Sequence, residues 1–351
     1  MEIRPDDAWP AEGEGDTGDL GGRAYMCGLL KRYAVTKAMP QSGKVVILDT
    51  ELSVKHAFWA IYDHGLNSAI AWDAQQRRFV GMLTYTDFME LLRFLYRSNG
   101  GDDSSRDPAA VAAAIAAGLE QHHVKSWQDL RSAGAAADTF VFVRPETTML
   151  DCVGILQTQQ IHRVPVVDPT NNVVLCTITY WRILRYLTRR MKKKRQFDRL
   201  LGCTISKVRL GVRPVITVRP EETLAAVLDL LLEHRISAVP VVDSAGKLVN
   251  MYARTDVQYM ALTQNYNLDM TVAEATQHRQ APIHRCRPDI DTLAAVADVM
   301  AKGVVRRVVC VDEHDVVHGI VSLSDLFRFI TERAPNSGWE PEPASFLLPT
   351  Q

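Results

Sequence analysis

The sequence predicts an α/β fold made of α+β repeats, and three observations carry that expectation. The first is the unbroken apolar run Val239-Pro240-Val241-Val242, which suits a short strand buried on both faces. The second is its setting. Asp243 and Gly246 supply turn chemistry, and Leu248 to Ala253 reads as a second strand. A helix from Thr223 to Leu232 precedes them, opened by Glu221 and Glu222 after Pro220, and another starts at the Asp256 carboxylate. The third is recurrence. The unit returns as His162-Arg163-Val164-Pro165-Val166-Val167-Asp168 followed by Arg182, and as Arg306-Arg307-Val308-Val309-Cys310-Val311-Asp312 followed by Gly319 to Asp325. Its most altered copy is Asn67-Ser68-Ala69-Ile70-Ala71-Trp72-Asp73 with Gly81 to Asp87. Four ordered copies at one spacing define an internal repeat.

In chain order, residues 1–24 are rich in Gly, Asp and Glu with few core formers, the composition of a disordered segment. A short helix is expected over Tyr25 to Lys37. Lys44 to Leu48 reads as a strand outside the four units, leading into repeat one (25–100). Residues 101–122 form a linker with an Ala-rich helix, and repeat two spans 123–188. A basic linker, 189–200, then carries Arg189 to Arg195; such a run is ordinarily a solvated helix rather than a nuclear signal. Repeats three (201–265) and four (266–333) follow, and a Pro-rich flexible tail, 334–351, closes the chain. The basic linker divides two tandem halves.

Composition excludes some classes. With 47% hydrophobic and 23% charged residues and a formal charge of −1, the chain is ordinary globular protein with no whole-chain attraction for nucleic acid or membrane. No apolar run approaches the roughly 20 residues that cross a bilayer, and the N-terminal residues do not resemble a targeting peptide. The six cysteines are scattered without a C-x-x-C pair, so buried free thiols and no metal site are expected. Nor is there a phosphate-binding G-x-x-x-x-G-K-[ST] loop, kinase signature or nucleophile elbow. The chain is expected not to be an enzyme, to need no cofactor, and to reside in the cytoplasm, with a nuclear pool as the further option.

The repeats resemble the CBS domain, which works in tandem pairs. Four copies with nothing catalytic attached resemble the gamma regulatory subunits of AMP-activated protein kinases. The likeness rests on Trp72-Asp73, Phe79 to Thr84, Ile161-His162-Arg163, Glu233 to Ala238 and Gly319 to Asp325. It implies four CBS domains in two tandem pairs forming a disc. It further implies an energy-sensing regulatory subunit of a heterotrimeric Ser/Thr kinase, with a catalytic alpha and a scaffolding beta subunit as partners. The implied ligands are AMP, ADP and ATP. A free-standing sensor of adenosyl ligands, or a scaffold with vestigial pockets, are the alternatives.

The chemistry of such ligands can be matched to residues. A carboxylate at a helix start can accept both hydroxyls of a ribose diol, a place held by Asp87, Asp256 and Asp325. Ser and Thr hydroxyls beside a helix N-terminus suit phosphate; these are Thr84, Thr86, Ser322 and Ser324. Repeat two has Arg182 at the carboxylate position, and a guanidinium has no acceptor, so its own pocket is expected to stay empty. The resemblance assigns His162, Arg163, Arg306 and Arg307 to phosphate at the centre of the disc, with Ser237 as a small hydroxyl among them. Plainer readings exist: the aspartates as helix caps, His162 as a polar strand residue, Arg306 and Arg307 as a solvated pair. Asn67 and Trp181 stand where the animal kinase subunits carry an arginine and a lysine, and Arg306 where they carry a histidine. Each lost cation removes about 1.5–3 kcal/mol of charge-assisted bonding, which ranks the Asp256 pocket weakest and the Asp325 pocket strongest. The resemblance also implies that the strand at Lys44 to Leu48 pairs with the beta subunit, so that Val46→Pro would abolish assembly.

Overall fold

A computed structural model describes residues 18–41, 43–103, 105–127, 140–191, 198–211, 214–279, 282–303 and 305–331. Helix α1 runs Gly18–Arg32, earlier than the helix expected from Tyr25, so residues 18–24 are helical rather than part of a disordered segment. Repeat one comprises β1 (Ile47–Asp49), α2 (Val54–Asp63), β2 (Ser68–Asp73), β3 (Arg78–Thr84) and α3 (Tyr85–Ser98). The Ala-rich helix α4 (Pro108–Gln121) follows, started by the Asp107 side chain with Pro108 at its first turn. Repeat two has α5 (Met149–Thr158), β4 (Arg163–Asp168), β5 (Val173–Thr179) and α6 (Tyr180–Met191). Repeat three has α7 (Leu224–Glu233), β6 (Ala238–Val242), β7 (Leu248–Ala253), a 3₁₀ turn over Arg254–Val257 and α8 (Gln258–Thr263). Repeat four has β8 (Arg285–Cys286), α9 (Leu293–Ala301), β9 (Arg307–Val311), β10 (Val317–Ser322) and α10 (Leu323–Thr331).

The repetition extends to devices that the apolar pattern does not display. The first helix of every repeat is capped by a hydroxyl: Ser53, Thr148, Thr223 and Thr292 each accept the backbone N–H three residues on. Thr223 is therefore the cap and not the first helical residue. Each antiparallel hairpin also breaks register once near its outer end, in repeat two between Val166 and Val167 and in repeat three between Val241 and Val242. Such bulges strengthen the twist.

The expectation that Lys44 to Leu48 lies outside the repeats is corrected. β1 is the parallel outer strand of the repeat-one sheet, Ile47 opposite Ile70 and Asp49 opposite Trp72. The other repeats have the same outer position: Val143 beside Val166, Val218 beside Val241, and β8 beside β9. The Val46 carbonyl accepts from Ile70 and the Thr50 N–H donates to Trp72. By strand alternation, the peptide groups of Val46, Leu48 and Thr50 face β2, while those of Ile47 and Asp49 face outward.

The cores cross the boundary between the tandem halves. One apolar core joins repeats two and four with α1, through Met149, Val164, Ile183, Val308 and Phe327. The other joins repeats one and three, through Phe58, Phe88, Leu228, Val239 and Tyr252. Within each half the sheets meet instead. Phe79 packs on Phe140 at 5.6 Å, and the Leu248 and Val317 N–H groups bond across repeats three and four at 2.9 and 3.1 Å. The buried Arg93 of α3 forms an ion pair with the half-buried Asp229 of α7. The four repeats thus close into a ring in the order one, two, four, three, and the residues preceding each second helix turn toward its middle.

Candidate functional site

At the start of the second helix, the three aspartates act as caps. Asp87 Oδ2 accepts the Thr84 N–H at 2.6 Å and its hydroxyl at 2.7 Å. Asp256 Oδ2 accepts the Ala253 N–H at 2.8 Å. Asp325 Oδ2 accepts the Ser322 N–H at 3.0 Å and its hydroxyl at 2.6 Å. The plain reading is therefore correct, and it leaves room for a second role, because these cap bonds use one oxygen of each carboxylate. In repeat two the N–H of Arg182 bonds Thr179 Oγ1 at 3.4 Å, and the first turn of α6 carries no carboxylate.

Where the four repeats meet lies a cavity of about 420 Å³. Ten of the twelve residues singled out from sequence line it: Thr84, Thr86, Asp87, His162, Arg163, Ser237, Arg306, Arg307, Ser322 and Ser324. Val80, Met82, Phe140 and Val141 supply apolar lining. Cations from three repeats, Arg163, Arg254, Arg306 and Arg307, line the same cavity. Arg163 Nη1 donates to Ser68 Oγ at 3.0 Å and Arg307 Nη2 to Ser237 Oγ at 3.0 Å, so each guanidinium is steadied by a hydroxyl of a neighbouring repeat.

One of these cations was not anticipated. Arg254 donates to Thr86 Oγ1 at 2.8 Å, Ile236 O at 2.8 Å and Leu231 O at 3.2 Å. It holds the place taken by Tyr85, Tyr180 and Leu323 in the other repeats. The only sign of it was a charge at an otherwise apolar or aromatic position.

The electrostatics follow from this crowding. His162 and Arg306 reach solvent through the cavity, yet protein surrounds it on the other sides. Burial, then Arg254, Arg163, Arg307 and Arg306, push the His162 pKa down to about 4, so the ring is neutral at pH 7. Burial pulls Arg163 and Arg307 down to about 10 and lowers Arg254 and Arg306 as well. Compensation is partial: Arg307 feels Asp256, and Arg254 feels Glu90 and Asp87. Guanidinium groups held together in partial burial favour an incoming anion.

Two aspartates lie elsewhere. Asp325 stands behind the cavity wall, joined to it through the Ser322 and Ser324 hydroxyls, 2.8 Å apart. Asp256 opens on a second cavity, and Arg279 Nη1 donates to its Oδ2 at 2.6 Å. Burial raises the Asp256 carboxyl above its ordinary value even with this guanidinium in contact. Nothing near Asp256 in sequence announced Arg279. The two departures, Asn67 and Trp181, both line the central cavity. The indole N–H donates to Ala301 O at 3.2 Å, and its ring lies against Gly303. At φ +80° that residue needs to be glycine, and a Cβ there would stand 3.0 Å from the indole.

The CBS domain family model matches residues 136–189, 208–259 and 279–332, which fall on repeats two, three and four. Repeats two, three and four are CBS domains. The CBS repeats are 34% identical over 313 residues to the cattle (Bos taurus) 5′-AMP-activated protein kinase subunit gamma-3, covering 88% of this chain and 60% of that protein. The human (Homo sapiens) gamma-3 subunit is likewise 34% identical, over 319 residues with the same coverage. The chain thus spans about 60% of the length of these relatives. A crystal structure of a Methanocaldococcus jannaschii protein, described as an archaeal homologue of g-AMPK, superposes with a TM-score of 0.64 at 18% identity. It covers 85% of this chain and 99% of that one, and it shares the CBS fold.

Proposed function

We propose that this CBS-repeat protein is a non-catalytic, energy-sensing regulatory subunit of a heterotrimeric Ser/Thr kinase, and that it binds AMP, ADP and ATP in competition. The observation that carries this reading is the convergence of His162, Arg163, Arg254, Arg306 and Arg307 on a cavity that Asp87 and the apolar Val80, Met82 and Phe140 also line. Phosphate answers the guanidinium groups, the ribose diol answers the carboxylate, and the adenine ring answers Val80, Met82 and Phe140. The similarity to gamma-3 subunits supports the kinase assignment. Among the described residues no helix is long and apolar enough to cross a membrane. A titration with AMP and with ATP, read as melting temperature, tests the sensing role. If neither nucleotide shifts it at millimolar concentration, the pockets are vestigial and the reading fails.

We assign the partner contact to the outer edge of β1, where Ile47 is 49% exposed and the outward peptide groups can accept a strand from a beta subunit. The informative substitution is Ile47→Pro rather than Val46→Pro, because the Ile47 N–H faces outward. It should abolish pull-down of alpha and beta subunits while nucleotide binding persists. Normal assembly would place the partner elsewhere.

A further inference from the structure

The second cavity, about 570 Å³, lies between the N-terminus of α4, helices α7 and α8 and the segment 265–278. Its wall is the electrostatic opposite of the central one. Asp256, Asp269 and Glu274 line it, with Asn265 and Asn267; among the described residues on the wall there is no lysine or arginine, and His278 is the one basic group. Each carboxylate gives one oxygen to the protein. Asp256 Oδ2 takes Ala253 and Arg279, Asp269 Oδ1 takes the Tyr96 hydroxyl, and Glu274 Oε2 takes the N–H and hydroxyl of Thr271. The second oxygen of each has no hydrogen-bond partner among the described residues.

An independent sign comes from Tyr252. It lines the same cavity at 1% exposure, and its hydroxyl has no partner among the described residues, although a buried hydroxyl left unpaired costs about 1–3 kcal/mol. Three carboxylates with free oxygens and no lysine or arginine beside them among the described lining residues suit a cation rich in N–H groups. A single metal ion does not suit the arrangement. Among the described residues no three His, Cys, Asp or Glu side chains stand close enough together to hold one. The charges are spread along the wall, so the complementary ligand is extended. Two tyrosines, Tyr252 and Tyr259, also line the cavity.

We propose that this cavity is a binding site for an organic polyammonium ion, separate from the anion site at the centre of the ring. The proposal is independent of the nucleotide reading, and its test contains no nucleotide. Spermidine is titrated calorimetrically into the full chain at physiological ionic strength. The expected result is saturable binding at one site per chain. Asp269→Asn combined with Glu274→Gln should weaken it at least tenfold, and Tyr252→Phe about threefold. Asn265→Lys, which places a cation in the cavity from the protein's own side, should abolish it. Circular dichroism and unchanged melting of each variant separate lost binding from lost fold. The proposal is overturned if no saturable heat appears. It is also overturned if Asn265→Lys binds as the natural chain does, which would indicate diffuse surface attraction, or if magnesium ion competes at spermidine's own concentration, which would indicate a metal site.

Discussion

Asp87 and Asp256 occupy one position in the repeat and cap their helices with the same oxygen, yet they face opposite surroundings. Asp87 opens into a cavity lined by four guanidinium groups and the His162 ring, from three repeats. Asp256 is bound by Arg279 and looks onto a cavity lined by carboxylates. The repeat therefore dictates where a carboxylate stands, and single residues outside the repeated pattern dictate what it can hold. Arg254 and Arg279 make the difference, and neither has a counterpart in the other repeats that would have identified it.

Removing Arg279 should have the largest effect. Arg279→Ala leaves a buried carboxylate without its cation, a change that costs about 3 kcal/mol or more when a buried pair is broken. Because burial already raises the Asp256 carboxyl, the orphaned group can take up a proton as pH falls. The loss should therefore be greater at pH 8 than at pH 5 in urea unfolding. Arg279→Ala with unchanged stability at both values would show that the pair does not hold the repeat-three turn.

Next is the central cavity's cation count. Asn67→Arg should restore a charge facing the cavity and tighten AMP binding about tenfold, one charge-assisted contact of about 1.5 kcal/mol. Fluorescence or calorimetric titration checks it, and an unchanged constant would place residue 67 out of reach of the phosphate.

The smallest effect is that of His162. Its folded pKa of about 4 lies below the ordinary value of 6.5, so the unfolded chain takes the proton first as pH falls. Its contribution to stability is complete above pH 6.5, declines between about 6.5 and 4, and levels off below. His162→Gln should flatten that part of the stability profile. An anion held by the arginines should raise the His162 pKa, so sulfate, which does not titrate in this range, should bind the natural chain more tightly at pH 5 than at pH 7. The variant should show no such gain.

The sequence made the repeat legible because strands buried on both faces read as runs such as Val239 to Val242, and because the turn at Asp243 and Gly246 punctuates them. Ten residues singled out at repeat-defined positions line one cavity. The ring order was not legible. It depends on helices of repeats one and three, and of two and four, packing across more than a hundred residues of chain, as Arg93 does on Asp229. The place of β1 was missed because an outer strand of three residues, Ile47–Asp49, lacks the length for a pattern. The basic run ends outside the described residues beyond Met191, and the tail beyond Thr331 lies outside them as well.

The central claim is that position in the repeat is not enough, and that facing the cation cluster makes a nucleotide site. Calorimetric titration of AMP into Asp87→Ala, Asp256→Ala and Asp325→Ala tests it most directly. Sequence alone ranks Asp325 first. The structure ranks Asp87 first, because it alone among the three lines the central cavity, with about a tenfold to hundredfold loss for one charge-assisted diol contact. Asp325 should follow through its serine chain, and Asp256 should change least. Equal losses at all three positions, or the greatest loss at Asp256, would contradict the account.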